Sequence, residues 1–460
     1  MSAGAGATGA ASAASLSGPL PNADHEGTLV WQVERVGYVA EEYLLCGRAN
    51  TYAPVAMADA PNMLTRDAPR DMARRESYAR PILKADEPYC TRVLLYRPRE
   101  LERFSGRVVI ETAHPLDGGR AIVWSQLSGY FAQHGDIYLG IASPVTFDSL
   151  KDSNPGRYAR LHATDATQLW GMIAQLGALV KSGHFPGILR ARLHTLLLTG
   201  YSYTGVAVTT FANFHHDDAR SADKKPVFDG YLSIANSMYA RPIDVPVIRI
   251  MTQSDFNSFG GLNNRRDDSD AADSRFRLWE VAGASHLNAS PVIEPGASPW
   301  VPHKPVTEPR NLPRFSISEC QKDFPAGFGP NTLPLNYVMI SAFEHIDRWI
   351  HGGPPPPRAA RIETDSDGAA RADSDGNALG GLRLPEIEVP AARYGTAGGM
   401  CFLYGYRLPF GTARLRELYG TQDRYLARVD AAARAQIGQG WLRPEEASLI
   451  ENAARQVPAF

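Results

Sequence analysis

The chain has 460 residues, enough for a large core and more than one ordinary domain. Its 47 basic and 49 acidic residues leave a formal net charge of −2, which excludes the basic surplus of a nucleic-acid or anionic-membrane binder. No apolar run approaches the roughly 20 residues that span a bilayer, and 44 % hydrophobic with 21 % charged residues is an ordinary globular composition.

Met1 to Asn22 is rich in Ala, Gly and Ser and lacks the early positive charge and leucine-rich centre of a signal peptide. Residues 1–26 therefore read as a flexible tail, and a cytoplasmic location is expected, with a periplasmic or secreted one open if a leader has been removed. Leu29–Val36 and Glu42–Cys46 read as short strands, followed by Thr91–Pro98 and the β-rich Arg107–Thr112. Trp124–Gln133 reads as a helix ended by Gly135, and Ile137–Ala142 as the next strand. Thr164–Lys181 carries Leu169, Met172, Ile173, Leu176, Leu179 and Val180 at helical spacing and stops at Gly183.

An apolar run at Leu196–Leu198 leads into Thr199-Gly200-Tyr201-Ser202-Tyr203-Thr204-Gly205, and Val206–His215 is helix-compatible. Strand, tight turn and helix in that order are the grammar of a nucleophile elbow, which leaves a serine hydroxyl exposed above the sheet. The second glycine usually stands two residues after the serine; here Thr204 stands there and Gly205 comes one later.

Val227–Ile234, Pro246–Met251 and Phe276–Val281 read as further strands. Residues 287–333 are irregular and proline-rich, and Tyr337–Ile350 is an amphipathic helix closed by Gly352-Gly353 and Pro354–Pro357. The acidic stretch Thr364–Asn377 lacks the spacing of a calcium loop and reads as solvated turns. Arg414–Gln456 returns to helix. The alternation predicts an α/β fold: a mostly parallel sheet with helices on both faces, N-terminal strands, and a C-terminal extension forming a lid or subdomain. The expected boundaries are 27–351 for the core and 352–460 for the extension packed on it.

A serine nucleophile needs a base, and the base an orienting carboxylate. Asp255 follows the 246–251 strand, and His286 follows the 276–281 strand within Ala282-Gly283-Ala284-Ser285-His286. Both are expected in loops at carboxyl ends of strands, the edge where parallel sheets place active sites. Among rival acids, Asp229 opens its strand, Glu280 lies within one, and Asp267, Asp268 and Asp270 occupy a charged loop. Two backbone N–H donors must face the tetrahedral intermediate. Tyr203 is expected to supply one and Ala113 or His114 the other. The rings of Tyr201, Tyr203 and His114 are candidate pocket walls, with packing an equal explanation. Glu111 supports this region or makes a structural hydrogen bond.

Cys46, Cys90, Cys320 and Cys401 form no C-x-x-C pair; four buried free thiols are expected, with Cys320–Cys401 the pairing to consider if the protein is exported. No H-E-x-x-H and no nucleotide-binding glycine loop appears, so neither metal nor cofactor is expected. His215 and His216 read as helix-end residues, and His184, His194, His345 and His351 as surface or capping residues.

Several phrases together resemble the family known as "alpha/beta hydrolase domain". They are Tyr38–Tyr43, Tyr89–Pro98, Gly106–Glu111, Gly156-Arg157-Tyr158, the elbow, Leu278–His286 and Asp375–Pro385. The resemblance runs from about residue 30 to the C terminus. It implies the hydrolase fold and matches Ser202 and His286 directly, Asp255 less closely. Where the family often has an asparagine after the Glu111 strand, this chain has Thr112-Ala113-His114, so the oxyanion loop and substrate preference stay open. The expected activity is hydrolysis of a carboxylic ester, lactone or thioester of a small molecule. An acyltransferase with the same triad and a non-catalytic binding module are the alternatives.

Overall fold

The computed structural model describes residues 14–21, 33, 36–53, 81–115, 121–258, 264–287, 322, 324–396 and 403–460. The chain enters its main sheet through β1 (Ser15–Ser17), β2 (Tyr38–Tyr52) and β3 (Ile82–Pro98), which pair antiparallel. β4 (Arg107–Thr112) and β5 (Ile137–Ile141) follow. The two-residue β6 (His162–Ala163) flanks β3. β7 (Thr195–Tyr201), β8 (Gly230–Ile234), β9 (Val247–Thr252) and β10 (Phe276–Val281) complete the sheet. The spatial order is β1-β2-β3-β5-β4-β7-β8-β9-β10. From β5 to β10 every neighbouring pair is parallel. This is the α/β-hydrolase fold, and the expected class holds.

Side-chain alternation gives the sheet two cores. Leu196 and Leu198 of β7 join one buried cluster, while Leu197 and Tyr201 join the other. Helices α1 (Ile122–His134) and, later in the chain, α5 (Leu335–Ile350) cover the face of Leu197. Helices α2 (Leu169–Ser182) and α3 (Tyr203–Phe214) cover the face of Leu196. A short helix, α4 (Gln253–Ser258), follows β9 directly, so Asp255 sits in a helical turn and not in the expected loop.

The extension adds α6 (Thr412–Tyr419), α7 (Gln422–Gln439) and α8 (Pro444–Arg455), whose Leu415, Tyr425, Val429 and Ile450 join the cluster under α1 and α5. Its β12 (Ala392–Thr396) and β13 (Gly405–Pro409) form a small antiparallel sheet with β11 (Gly329–Pro330), which precedes α5 in the core, in the order β11-β13-β12. These strands were not expected, because glycine and arginine interrupt any apolar alternation in them. The acidic stretch does form turns: Asp365 accepts from the N–H groups of Asp367 and Ala369, and Asp373 from those of Asp375 and Asn377.

Two expectations change. Ser15–Ser17, assigned to the tail, pairs with Leu44–Cys46, satisfying the backbone groups of an otherwise open edge. The strand expected at Leu29–Val36 falls mostly outside the described residues. Cys46 and Cys90 are not free thiols. They face each other across β2 and β3 with Cα atoms 4.0 Å apart and form a disulfide. Cys320 and Cys401 lie outside the described residues.

Candidate active site

β7 delivers Ser202 at its carboxyl end with φ +59° and ψ −125°, a conformation L-residues rarely adopt. The turn is held at both sides: Ser202 N–H donates to the Ile234 carbonyl at 3.0 Å, and Val206 N–H to the Ser202 carbonyl at 2.9 Å. Thr204 fits where a glycine is usual because its hydroxyl folds back onto β7. It accepts from Tyr201 N–H at 2.8 Å and donates to the Tyr201 carbonyl at 2.9 Å. Gly205 then makes the close approach: a Cβ there would stand 2.4 Å from the Ile234 carbonyl oxygen.

The structure brings the three distant residues into one chain of contacts. Ser202 Oγ is 2.7 Å from His286 Nε2, and His286 Nδ1 is 2.7 Å from Asp255 Oδ1. The imidazole is 2 % exposed and Asp255 fully buried, while Ser202 stays partly open to solvent. Thr252 donates its hydroxyl to Asp255 Oδ2 at 2.5 Å, and His286 N–H donates to Ser254 Oγ at 3.0 Å. The His286 loop is braced further by Gln253, which accepts from Gly283 N–H, and by Asn331, which donates to the Gly283 carbonyl. The Leu287 N–H donates to the Leu403 carbonyl of the extension. Sequence reasoning missed Thr252, Ser254, Gln253 and Asn331. The only signal was a polar run, Thr252-Gln253-Ser254-Asp255, directly after an apolar strand.

The rival acids are engaged elsewhere. Asp229 pairs with Lys181 at 2.5 Å and accepts from Leu196 N–H. Glu280 makes a two-pronged pair with Arg265, Asp268 pairs with Arg361, and Asp270 with Arg277 and Arg358. Asp267 is exposed. His216 is more than a helix-end residue: it is buried between the Tyr231 hydroxyl and Asp244.

Of the expected oxyanion donors, Ala113 does not serve, because its N–H donates to the Ile141 carbonyl at 2.7 Å as β4 leaves the sheet. Tyr203 opens α3, where N–H groups and the helix dipole face the serine. Its ring is 47 % exposed and meets the His114 ring edge-on at 6.1 Å. Burial, aided by the neighbouring His286, pushes His114 down to about 4, so its ring is neutral near pH 7. Tyr201 is no open pocket wall. It is 1 % exposed, its hydroxyl donates to the His286 carbonyl, and its ring lies edge-on to the imidazole at 5.6 Å. Glu111 accepts from Val123 and Trp124 N–H at the start of α1 and from the Tyr138 hydroxyl, and burial raises it to about 7.

The sequence pattern of the family described as "Alpha/beta hydrolase domain" matches residues 16–452. The chain belongs to that family. No curated protein matches this member of it. Solved structures of other hydrolases are similar to parts of it. A dienelactone hydrolase from Anabaena variabilis is 17 % identical, with 45 % of this chain and 85 % of that one covered at TM-score 0.26. Esterase B from Lactobacillus rhamnosis is 14 % identical, covering 41 % and 69 % at TM-score 0.25. A poly(3-hydroxybutyrate) depolymerase from Bordetella parapertussis is 13 % identical, covering 39 % and 66 % at TM-score 0.24. Among the described residues of this alpha/beta hydrolase, no helix is long and apolar enough to cross a membrane.

Proposed function

We propose that this protein is a serine hydrolase that cleaves a carboxylic ester of a small molecule. The observation that carries the reading is the unbroken relay from Asp255 through His286 to a serine on a strained turn, 2.7 Å at each step. With Nδ1–H donated to Asp255, Nε2 keeps the lone pair that accepts the Ser202 proton as Oγ attacks the ester carbonyl. Asp255, its second oxygen held by Thr252, stabilises the imidazolium that forms. The oxyanion is met by backbone N–H groups of Tyr203 and of the His114 loop. The imidazolium then protonates the departing alcohol, leaving an acyl-Ser202. His286 next takes a proton from water, whose attack releases the carboxylic acid. A neutral His114 ring beside the imidazole adds no positive charge to oppose His286 protonation.

The test is labelling of the intact protein with a fluorophosphonate and mapping of the adduct. A single adduct on Ser202, lost in His286→Ala, is the expected result. A folded protein that leaves Ser202 unmodified while hydrolysing esters would overturn the assignment.

A further inference from the structure

At the amino edge of the sheet, far along β7 from Ser202, two histidines and a carboxylate converge. His194 precedes β7, Asp347 lies in the last turn of α5, and His351 caps that helix. One nitrogen or oxygen from each lies within 4.8 Å of the other two. Thr195 Oγ stands among them, 2.9 Å from His194 Nδ1, 2.7 Å from Asp347 Oδ1 and 2.8 Å from His351 Nε2. No spacing motif announces this group, because Thr195 is 152 positions from Asp347 and 156 from His351.

We propose that His194, Asp347 and His351 bind a divalent transition-metal ion, Zn²⁺ foremost, with the Thr195 hydroxyl or a water as the fourth ligand. Two imidazole nitrogens and one carboxylate suit zinc and its neighbours, whereas calcium and magnesium take all-oxygen sets. Two features set the His194 ring in advance. Its Nε2 lies 3.0 Å from the Ser105 carbonyl, which takes the ring proton and turns the Nδ1 lone pair toward the cluster. The ring also rests on Gly106, at φ +101°, where a Cβ would stand 2.2 Å from His194 Cδ2. The hydrogen bonds point the same way. Thr195 has one hydroxyl proton to share among a carboxylate and two imidazole nitrogens, so the set is rich in lone pairs. A cation placed among them meets several of those lone pairs at once.

The spacing is close to what a metal requires. Asp347 Oδ1 and His351 Nε2 are 3.9 Å apart, and ligand atoms on a tetrahedral zinc at ~2.1 Å stand about 3.4 Å from one another. Rotation of the His351 imidazole, 44 % exposed, brings its nitrogen inward while His194 keeps the orientation that Ser105 sets. The bound ion would tie the start of β7 to the end of α5, just before Gly352-Gly353 leads into the extension.

The experiment is equilibrium dialysis of tag-free, chelator-treated full-length protein against ZnCl₂ with elemental analysis, beside a Co²⁺ titration read by visible absorption. One zinc per chain, a Co²⁺ band of a nitrogen/oxygen site displaced by Zn²⁺, and a higher Tm with zinc are expected. His351→Ala and Asp347→Asn should each weaken uptake about tenfold or more and remove the Tm shift. Wild-type protein that takes up no stoichiometric zinc at 100 times the protein-free background would overturn the proposal, and so would uptake unchanged in both variants. The cobalt spectrum of the wild type decides the matter even if a variant fails to fold.

Discussion

Strand β7 carries a hydroxyl, histidine and aspartate at each of its ends, and the two groups are wired differently. At the carboxyl end the order is linear: Asp255 contacts only one side of the imidazole, and Ser202 the other. At the amino end the order is radial: the Thr195 hydroxyl sits in the middle, with Asp347 and two histidines around it. The linear arrangement leaves an imidazole lone pair aimed at a hydroxyl proton, which is what a general base needs. In the radial arrangement the Thr195 hydroxyl donates to the Asp347 carboxylate, a far weaker base than an imidazole. On the proposed reading, composition alone does not make a nucleophile; the sequence of contacts does, together with the strained turn that carries Ser202.

The contrast can be broken most sharply at Ser202. Ser202→Ala should lower ester kcat by about 10⁴–10⁶-fold with an unchanged melting profile; a folded variant with full turnover would erase the distinction between the two ends. Asp255→Asn should cost about 10⁴-fold in kcat, because the amide favours the wrong imidazole tautomer. At the amino end the expected losses are in stability. Gly106→Ala forces a Cβ into the His194 ring and should destabilise by about 3 kcal/mol in urea titrations. Glu111 sharpens the comparison through pH. Its folded value, about 7, lies above the ordinary 4.5, so the folded state holds this proton more tightly. The stability it contributes is full below pH 4.5 and is lost as pH rises toward 7, by up to about 3 kcal/mol. In Glu111→Gln that decline should be absent, read as a urea midpoint that gains on the wild type between pH 5 and 7. The smallest effect is expected at Thr252→Val, where losing one hydrogen bond to the buried Asp255 should lower kcat on the order of tenfold. An unchanged kcat there would mean that Asp255 needs no second support.

Ser202, His286 and Asp255 were legible because each follows an apolar strand and carries its own local signal. The order of strand ends does the rest. Their supports were not legible, since the Thr252 and Ser254 hydroxyls look like any polar turn until the fold folds them back. The error at Ala113 is one of register: one residue further along, the chain still belongs to the sheet and its N–H to Ile141. The Cys46–Cys90 bond depends on which residues of β2 and β3 stand opposite, which the long connection between them hides. Around Thr195, Asp347 and His351 stand four apart on one helix, but nothing local ties that pair to His194 and Thr195 at the strand. Thr204 shows the reverse case, a departure in spelling that the structure absorbs through a single hydroxyl.

The two cores on either face of the sheet also differ in when they can be finished during synthesis. Among the described residues, the buried members of the cluster beneath α2 and α3 end at Leu278, apart from Ile362. The cluster beneath α1 and α5 still awaits Leu415, Tyr425, Trp441 and Ala454. At a ribosomal pace of about 5–20 residues per second, the face that α1 covers stays incomplete for roughly 10–35 s after Leu278 of the other has been made. Until Trp441 arrives, Trp279 lacks the ring it meets edge-on in the finished fold, and a chaperone that engages this protein has its window there.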